Sequence, residues 1–198
     1  MKISYKITFH SDWHCGSGLA AGADLDALVV KDKNGMPFIP GKTLKGLIRE
    51  ATEELLFLTN QFDENADELK KVFGNATDRN VKESNNNDYD DMAKGETFFA
   101  NATLSENEYK AIVCNKAQKF LFRSVASTRI DKEGIAVEHS LRKMEVTIPC
   151  TLESSILSVP DAMAATLVKA MGYIKRLGQN RNRGLGRCSF TDIKIEGE

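Results

Sequence analysis

The sequence predicts an α+β fold in which two helices alternate with four core strands. The stretch "KISYKITF" alternates apolar and polar residues with a period of two, as a half-buried strand does. Two longer stretches, "KTLKGLIREATEELLFL" and "PDAMAATLVKAMGYIKRLG", repeat their apolar residues at helical spacing. Placed among the strands they give the order β-α-β-β-α-β, which builds a ferredoxin-like or RNA-recognition-motif-like sheet with both helices on one face. We therefore expect residues 1–198 to form a single domain.

The first half of the chain supplies a strand, a loop, a turn and a helix in that order. The first strand leads into "SDWHCGSGLAAGADLD", a glycine-rich stretch typical of a loop. The next stretch, "ALVVKDKNGMPFIPG", predicts two short extended pieces joined by a turn at Asn34–Gly35. The first core helix then begins, capped by Thr43 or entered directly from Pro40–Gly41. A second, shorter helix is predicted over residues 60–74.

The second half opens with a polar insertion over residues 75–95. It carries too few apolar residues to order itself, so we expect a mobile loop. A strand at "ETFFANATLS" follows, and residues 119–145 predict a projecting hairpin with "RIDKEG" at its turn. The stretch "MEVTIPCTLESSIL" indicates one long strand, and the second core helix should run from near Pro160 to Gly178. The chain closes with a strand at "GRCSFTDIKIEG".

Composition excludes several classes of protein. A hydrophobic content of 41% and a net charge of −1 are ordinary for a soluble globular domain. We find no apolar run long enough to cross a membrane and no signal-peptide core, so we expect no membrane partner and a cytoplasmic location. The cysteines lack the CxxC spacing of a zinc site, so we expect reduced thiols and no zinc. They are Cys15, Cys114, Cys150 and Cys188.

A basic, glycine-rich loop, residues 178–187, follows the second core helix. From Lys175 to Arg187 the chain carries cations and glycines but no acid. Glycine lets a backbone approach a ligand closely, and the arginine fork matches the geometry of a phosphate. The loop therefore has the composition of a phosphate-binding segment, through Arg181, Arg183 and Arg187. The alternative is a solvated turn with surface arginines.

Three cations lie at the start of the first core helix. The helix dipole disfavours positive charge there, so Lys42, Lys45 and Arg49 suggest contact with an anion. The alternative is that Arg49 pairs with Glu53 on a solvated face, since the two residues are four apart.

The first loop contains a histidine and two carboxylates. Asp24 and Asp26 point the same way if the chain is extended there, and could share a divalent ion. One carboxylate could instead orient or deprotonate a 2′-hydroxyl for attack on a phosphate. For His14 the alternative to a functional role is a structural hydrogen bond to the backbone.

The predicted hairpin has the makeup of a nucleic-acid-binding arm. In "KFLFRSVASTRIDKEGIAVEHSLRK" cations outnumber acids and alternate with Phe and Ile. Such an arm can push apolar groups between bases while its cations hold the backbone. The alternative is an ordinary hairpin at a sheet edge.

Taken in order, these segments resemble a known family. The "HCGSG" loop is followed by "DALVVKDKNGMPFIPGKTLKGLIRE", then "FGN", "STRIDKEG" and the terminal "NRNRGLGR". This series resembles the RAMP superfamily of CRISPR-associated proteins over nearly the whole chain, and in particular the repeated backbone subunit of type III (Csm/Cmr) effector complexes. The most specific piece is "G-x-P-F-I-P-G-x-x-L-K-G". The chain departs from the family in having less glycine at "GLAAGADLD".

The resemblance implies a function in antiviral defence. Such subunits stack with copies of themselves and with other effector subunits along a guide RNA (crRNA), and a thumb hairpin kinks the guide–target duplex. Target RNA is cut by an aspartate with a divalent metal ion, Mg²⁺ or Mn²⁺. The motif places this aspartate and metal ligand at Asp26, with Asp24 as the runner-up. Composition and resemblance together predict RNA contacts at His14, Lys42, Lys45, Arg49, Arg123, Arg129, Lys132, Arg181, Arg183 and Arg187.

Three alternatives remain open from the sequence. The subunit could bind RNA without cutting it. It could instead process guide RNA without metal, using a histidine such as His14 as the acid or base. It could also be a ferredoxin-like domain unrelated to RNA.

Overall fold

The chain forms a four-stranded sheet and a separate two-stranded sheet. The computed structural model describes residues 1–21, 25–75 and 94–197. The strands are β1 (Lys2–Phe9), β2 (Phe98–Phe99), β3 (Phe122–Ser127), β4 (Arg142–Thr147), β5 (Thr151–Leu157) and β6 (Cys188–Glu196). The helices are α1 (Gly41–Leu58), α2 (Ala66–Phe73), α3 (Glu106–Cys114) and α4 (Asp161–Tyr173).

The larger sheet has the spatial order β2-β5-β1-β6, and every neighbouring pair is antiparallel. Along the chain, α1 lies between β1 and β2, and α4 lies between β5 and β6. The β3-β4 hairpin is inserted between the second and third core strands. This is the predicted β-α-β-β-α-β order, and the predicted fold class is confirmed.

Alternation along β1 decides which face of the sheet is covered. Every second residue from Ile3 to Phe9 is buried, and the residues between them are half-buried. Across the β1-β5 ladder Ile3 pairs with Ile156 and Ile7 pairs with Leu152, and these four side chains are completely buried in the core. Each large side chain buried in this way contributes roughly 1.5–3 kcal/mol of transfer free energy. Both core helices add buried residues to the same cluster: Leu44, Ile48, Met163, Leu167 and Met171.

Helix α1 begins against the sheet. Pro40 is its N-cap, so Thr43 does not cap it, and the backbone N–H of Gly41 donates to Asn101 Oδ1 at 2.8 Å. A Cβ atom on Gly41 would collide with the carbonyl oxygen of Phe99. The glycine in "IPGK" is therefore required for close packing of the helix start on β2.

The predicted long strand over "MEVTIPCTLESSIL" is wrong, because the structure divides it into β4 and β5, which belong to different sheets. Pro149 lies in the break, and proline has no N–H to continue a strand ladder. On its two sides the backbone pairs with different partners: Ile148 N–H donates to Leu121, and Cys150 accepts from Phe9 N–H.

Helix α4 ends at Tyr173, before the predicted end at Gly178. The chain turns extended at Ile174 and pairs with the start of β6, where Cys188 N–H donates to the carbonyl of Lys175 at 2.9 Å. This pairing with a segment further along the chain ends the helix.

Smaller elements also differ from the prediction. Helix α3 was missed, although Ser105 is its side-chain N-cap: the Ser105 hydroxyl accepts from the N–H of Glu108 at 3.4 Å and donates to Glu108 Oε2 at 2.6 Å. The helix predicted over 60–74 is shorter and ends at Gly74, whose φ of 77° is left-handed.

The predicted insertion over 75–95 lies almost wholly outside the described residues. In the described ranges, no helix has both the length and the apolarity needed to span a bilayer.

Candidate nucleic-acid interface

The β3-β4 hairpin, Phe122–Thr147, is attached to the body of the protein by a short extended segment, Asp12–His14. We call the hairpin the thumb and the short segment the bridging segment. The backbone of Trp13 exchanges two hydrogen bonds with Thr147 of β4, at 3.0 and 2.8 Å. The imidazole Nδ1 of His14 lies 2.6 Å from the carbonyl oxygen of Glu145. The bridging segment therefore pairs with the root of the thumb.

The opposite side of the bridging segment contacts the glycine/arginine loop, Gly178–Arg187. The loop is closed at its neck, where Leu177 N–H donates to Gly186 O at 2.9 Å. The carbonyl of His14 accepts from the N–H of Gln179 at 2.9 Å. The bridging segment thus lies between the two basic elements that the sequence singled out.

Two of the three glycines in this loop serve its closure. A Cβ atom on Gly178 would lie less than 3.0 Å from the carbonyl oxygen of His14, and one on Gly186 would crowd that of Leu177 in the same way. Both have positive φ, 99° and 69°. Gly184, with φ 93°, has no atom within 4 Å of the position that a Cβ would occupy. The sequence predicted that glycines of this loop let a ligand approach the backbone closely. Of the three, only Gly184 lies where a ligand has room to do so.

A groove of about 580 Å³ lies between the glycine/arginine loop and the thumb. Arg183 lines it from the loop, and Arg129, His139 and Arg142 line it from the thumb. All four side chains are exposed, and the groove also contains the carboxylate of Glu138. The structure therefore brings together Arg183 and Arg129, which are 54 residues apart and were both predicted to bind RNA. Sequence reasoning missed His139 and Arg142, since no local motif marks them.

The other predicted cations of these elements also reach the surface. Arg181 and Arg187 are exposed on the loop, and Lys132 is exposed at the end of the thumb. The same end of the thumb exposes apolar side chains, with Ile130 61% and Ile135 64% accessible. Arg123 differs, because its guanidinium is bound by the carboxylate of Asp12 through Nε at 2.6 Å and through Nη2.

His14 is completely buried beneath the loop. A carbonyl oxygen can only accept, so Nδ1 carries the proton that it donates to Glu145 O. Among the described residues Nε2 has no hydrogen-bond partner, and it faces exposed Gly16, where a Cβ would lie 3.1 Å away. The geometry matches the structural alternative, a histidine bonded to the backbone. Any effect of His14 on RNA therefore passes through the loop that it supports.

Asp26 is exposed beside β4 of the thumb, near the end of the strand that is further from the root. Its Oδ2 accepts from Lys143 N–H at 2.8 Å, and its own N–H donates to Lys143 O at 2.8 Å. Asp24 lies outside the described residues. Within the described ranges, no group of three His, Cys, Asp or Glu residues could hold a metal ion. One oxygen of the Asp26 carboxylate already accepts from a backbone N–H, and a divalent ion needs several oxygen ligands. Asp26 by itself therefore does not form a binding site for such an ion.

The family model for the RAMP superfamily matches residues 6–189. The chain belongs to the RAMP superfamily. Among similar solved structures are chains from "Cryo-EM structure of the Type III-B Cmr-beta bound to cognate target RNA" and "Type III-B Cmr-beta Cryo-EM structure of the Apo state". Both are 14% identical and cover 96% of either chain, with TM-scores of 0.65 and 0.64, a likeness that shows the fold alone. No curated protein sequence matches the chain.

In this RAMP protein the helix-start cations have different surroundings. Lys42 is exposed and Lys45 is half-buried. Burial lowers the pKa of Lys45, and the positive charges of Arg49 and Lys94 lower it further. Arg49 forms the alternative ion pair with Glu53, Nε to Oε1 at 2.6 Å. Among the described residues Arg49 has a carboxylate partner and Lys42 and Lys45 have none, so the two lysines fit the predicted anion contact better than Arg49 does.

The outer face of the RAMP sheet carries paired charges. Lys6 at its centre lies 3.6 Å from Glu153 and 3.3 Å from Asp192. The other outward residues of the central strand β1 are Lys2, Ser4 and Thr8, so this strand offers no aromatic ring on which a base could stack. The likeness to an RNA-recognition motif is one of topology, because the charge at the centre of this face is paired and β1 carries no aromatic ring there.

Proposed function

We propose that this RAMP protein is a guide-RNA-binding backbone subunit of a type III CRISPR effector complex, acting in antiviral defence in the cytoplasm. Its proposed partners are the crRNA, the paired target RNA, copies of itself and other effector subunits. The observation that carries the proposal is the groove in which Arg183 of the loop faces Arg129, His139 and Arg142 of the thumb.

The groove suits a sugar-phosphate backbone for an electrostatic reason. Three arginines converge from two separate elements, and their forked donors match phosphate oxygens. The single carboxylate among the lining residues, Glu138, leaves the site positive although the whole chain has a net charge of −1.

The end of the thumb supplies the apolar side chains that a nucleic-acid-binding arm needs in addition to positive charge. Ile130 and Ile135 are more than half exposed, which costs solvation free energy unless a partner covers them. In a strand-bound state these side chains would insert between bases while neighbouring cations hold the backbone. The Cmr-beta structure described as bound to cognate target RNA has the same fold and is consistent with this role.

Binding is tested by titrating single-stranded RNA into the purified protein at several salt concentrations. Each phosphate contact contributes about 0.7 to the slope of log affinity against log salt. Arg183→Ala and Arg129→Ala should each lower that slope by about this amount and weaken all RNA sequences equally. Lys70→Ala is the matched control, because Lys70 is an exposed lysine on α2 paired with Asp67. Absence of RNA binding at low salt would refute the proposal.

We assign cleavage of the target strand to Asp26. The carboxylate is exposed and accepts from the N–H of Lys143 on β4, the residue that follows Arg142 of the groove. We propose that cutting requires a divalent ion, Mg²⁺ or Mn²⁺, although the described residues do not by themselves form a site for it. In the assembled complex, Asp26→Asn should abolish cutting without affecting assembly, and a chelator should have the same effect. Cutting that survives both would support the structural alternative, in which the subunit only binds RNA.

The guide-processing alternative was predicted to use a histidine such as His14 as the acid or base, and the burial of His14 disfavours that residue. A general acid or base must reach the proton it transfers, and the His14 ring is 0% exposed beneath the loop. Cleavage of repeat RNA by the isolated chain in the presence of a chelator would reinstate it.

A further inference from the structure

The glycine/arginine loop and the thumb are joined through the bridging segment. The backbone N–H and carbonyl of Trp13 pair with Thr147 of the thumb, whereas the carbonyls on either side of Trp13 bond to the loop. The carbonyls of Asp12 and His14 accept hydrogen bonds from the loop, at 2.7 Å from Gly186 and 2.9 Å from Gln179. The side chains of the same two residues bond to the thumb. Movement of either element therefore strains the other.

The contact between Asp12 and Arg123 is the charged part of this connection. Asp12 is 7% exposed, and a carboxylate buried to that degree is costly unless it is paired. Arg123 on β3 provides the pair through Nε and Nη2, so two donors fix the direction of the guanidinium as well as its distance. The pair ties the first strand of the thumb to a backbone that also holds Gly186.

The second strand of the thumb has further contacts besides those with Trp13 and His14 of the bridging segment. The Glu145 carboxylate on β4 accepts from Lys31 Nζ at 2.7 Å and from Val29 N–H at 3.1 Å. The Lys31 ammonium also lies 4.0 Å from the ring centroid of Phe122 on β3. β3 follows β4 through the ladder that joins them, and the ion pair with Asp12 is the charged contact that joins β3 directly to the bridging segment and so to the loop.

We propose that Asp12 and Arg123 are positioning residues that set the spacing between the thumb and the glycine/arginine loop, and so the width of the RNA groove. Arg123 then acts through Asp12 and does not bind phosphate itself. This inference rests on the proposed RNA-binding function. The competing role for Arg123 is direct phosphate binding. The geometry allows it, because the Arg123 side chain is 63% exposed and part of it faces solvent.

The first experiment separates positioning from phosphate binding by salt dependence. RNA affinity is measured against salt for Asp12→Asn, Arg123→Gln and the double variant. We expect each single variant to bind roughly three- to tenfold more weakly with an unchanged salt slope, and the double variant to match the singles, as for one interacting pair. A slope reduced by about 0.7 in Arg123→Gln but not in Asp12→Asn would make Arg123 a phosphate ligand and overturn the proposal.

The second experiment needs no RNA. Spin labels at Lys132→Cys, on the thumb, and Lys169→Cys, on α4, report their separation by pulsed dipolar spectroscopy in a Cys114→Ser background. These three positions are exposed, and the remaining thiols are buried or half-buried. We expect a broader or shifted distance distribution in Asp12→Asn and Arg123→Gln, and an unchanged one in Lys70→Gln.

The two experiments also distinguish failure of the inference from failure of the proposed function. An unchanged distance distribution in both pair variants overturns the positioning role even if RNA binds. A changed distribution in a protein that binds no RNA upholds the positioning role and removes only the proposed function. If Asp12→Asn does not fold, Arg123→Lys takes its place: it keeps the charge but loses the forked pair, so the thumb should loosen while the salt slope stays constant.

Discussion

Closure of the glycine/arginine loop makes a sharp prediction for Gly186→Ala. The added Cβ would lie less than 3.0 Å from the carbonyl oxygen of Leu177 and 3.0 Å from its carbonyl carbon. The φ of 69° adds about 1–2 kcal/mol of left-handed strain for alanine. Relieving the overlap also breaks the neck hydrogen bonds to Leu177 and Asp12, at about 1 kcal/mol each. We expect a total loss of about 3–4 kcal/mol.

Gly184→Ala is the matched control for this prediction. Gly184 has the same left-handed conformation in the same loop, with φ 93°, but no neighbouring atom within 4 Å of the new methyl group. Only the strain remains, so the loss should be about 1–2 kcal/mol.

Thermal unfolding followed by circular dichroism checks both variants. For a chain of this size 1 kcal/mol lowers Tm by about 2–4 °C, so Gly186→Ala should lose about 10 °C and Gly184→Ala about 3–5 °C. Equal losses would refute the reasoning, because they would mean that both glycines are needed only for their backbone conformation.

Three further predictions follow from local contacts. Lys45→Met should raise Tm slightly at neutral pH, because burial and neighbouring cations lower the Lys45 pKa and its charge therefore opposes folding. The same variant should weaken RNA binding, because it removes a proposed phosphate contact. A lower Tm with unchanged RNA binding would contradict both expectations. The pKa of Asp32 is lowered overall: burial raises it, but hydrogen bonds, chiefly from the Tyr109 hydroxyl, lower it more. The stability that this lowered pKa contributes is present above the unfolded pKa of about 4 and is lost as pH falls through the folded pKa. The amount by which Tyr109→Phe lowers Tm should therefore shrink on acidification from about pH 6 to 3. A constant difference in Tm would show that the hydrogen bond does not act through the Asp32 carboxyl. Ser105→Ala should lose about 1 kcal/mol in urea unfolding because it removes the cap of α3, whereas the exposed surface change Lys110→Ala should lose less.

Parts of the candidate site were predictable because their signals are local. The arginines at 181, 183 and 187 could be recognised from charge and glycine within one short stretch, and all three are exposed. The positions of Asp26 and Lys132 in loops were likewise evident from turn residues around them. The pairing of Arg123 with Asp12, 111 residues away, left no sequence signal, since neither residue belongs to a local motif that names its partner.

The sequence by itself determined the strands, helices and turns that are specified by a pattern of neighbouring residues. Alternation in "KISYKITF" specifies β1, apolar spacing specifies α1, and Asn34–Gly35 specifies a turn, because each pattern repeats over distances that one strand, helix or turn spans. Tertiary structure alone decided where α4 ends, how one apolar run divides at Pro149 between two sheets, and which basic side chains meet across the groove. These outcomes depend on free energy gained by pairing segments that are distant along the chain, and a local pattern does not contain that term.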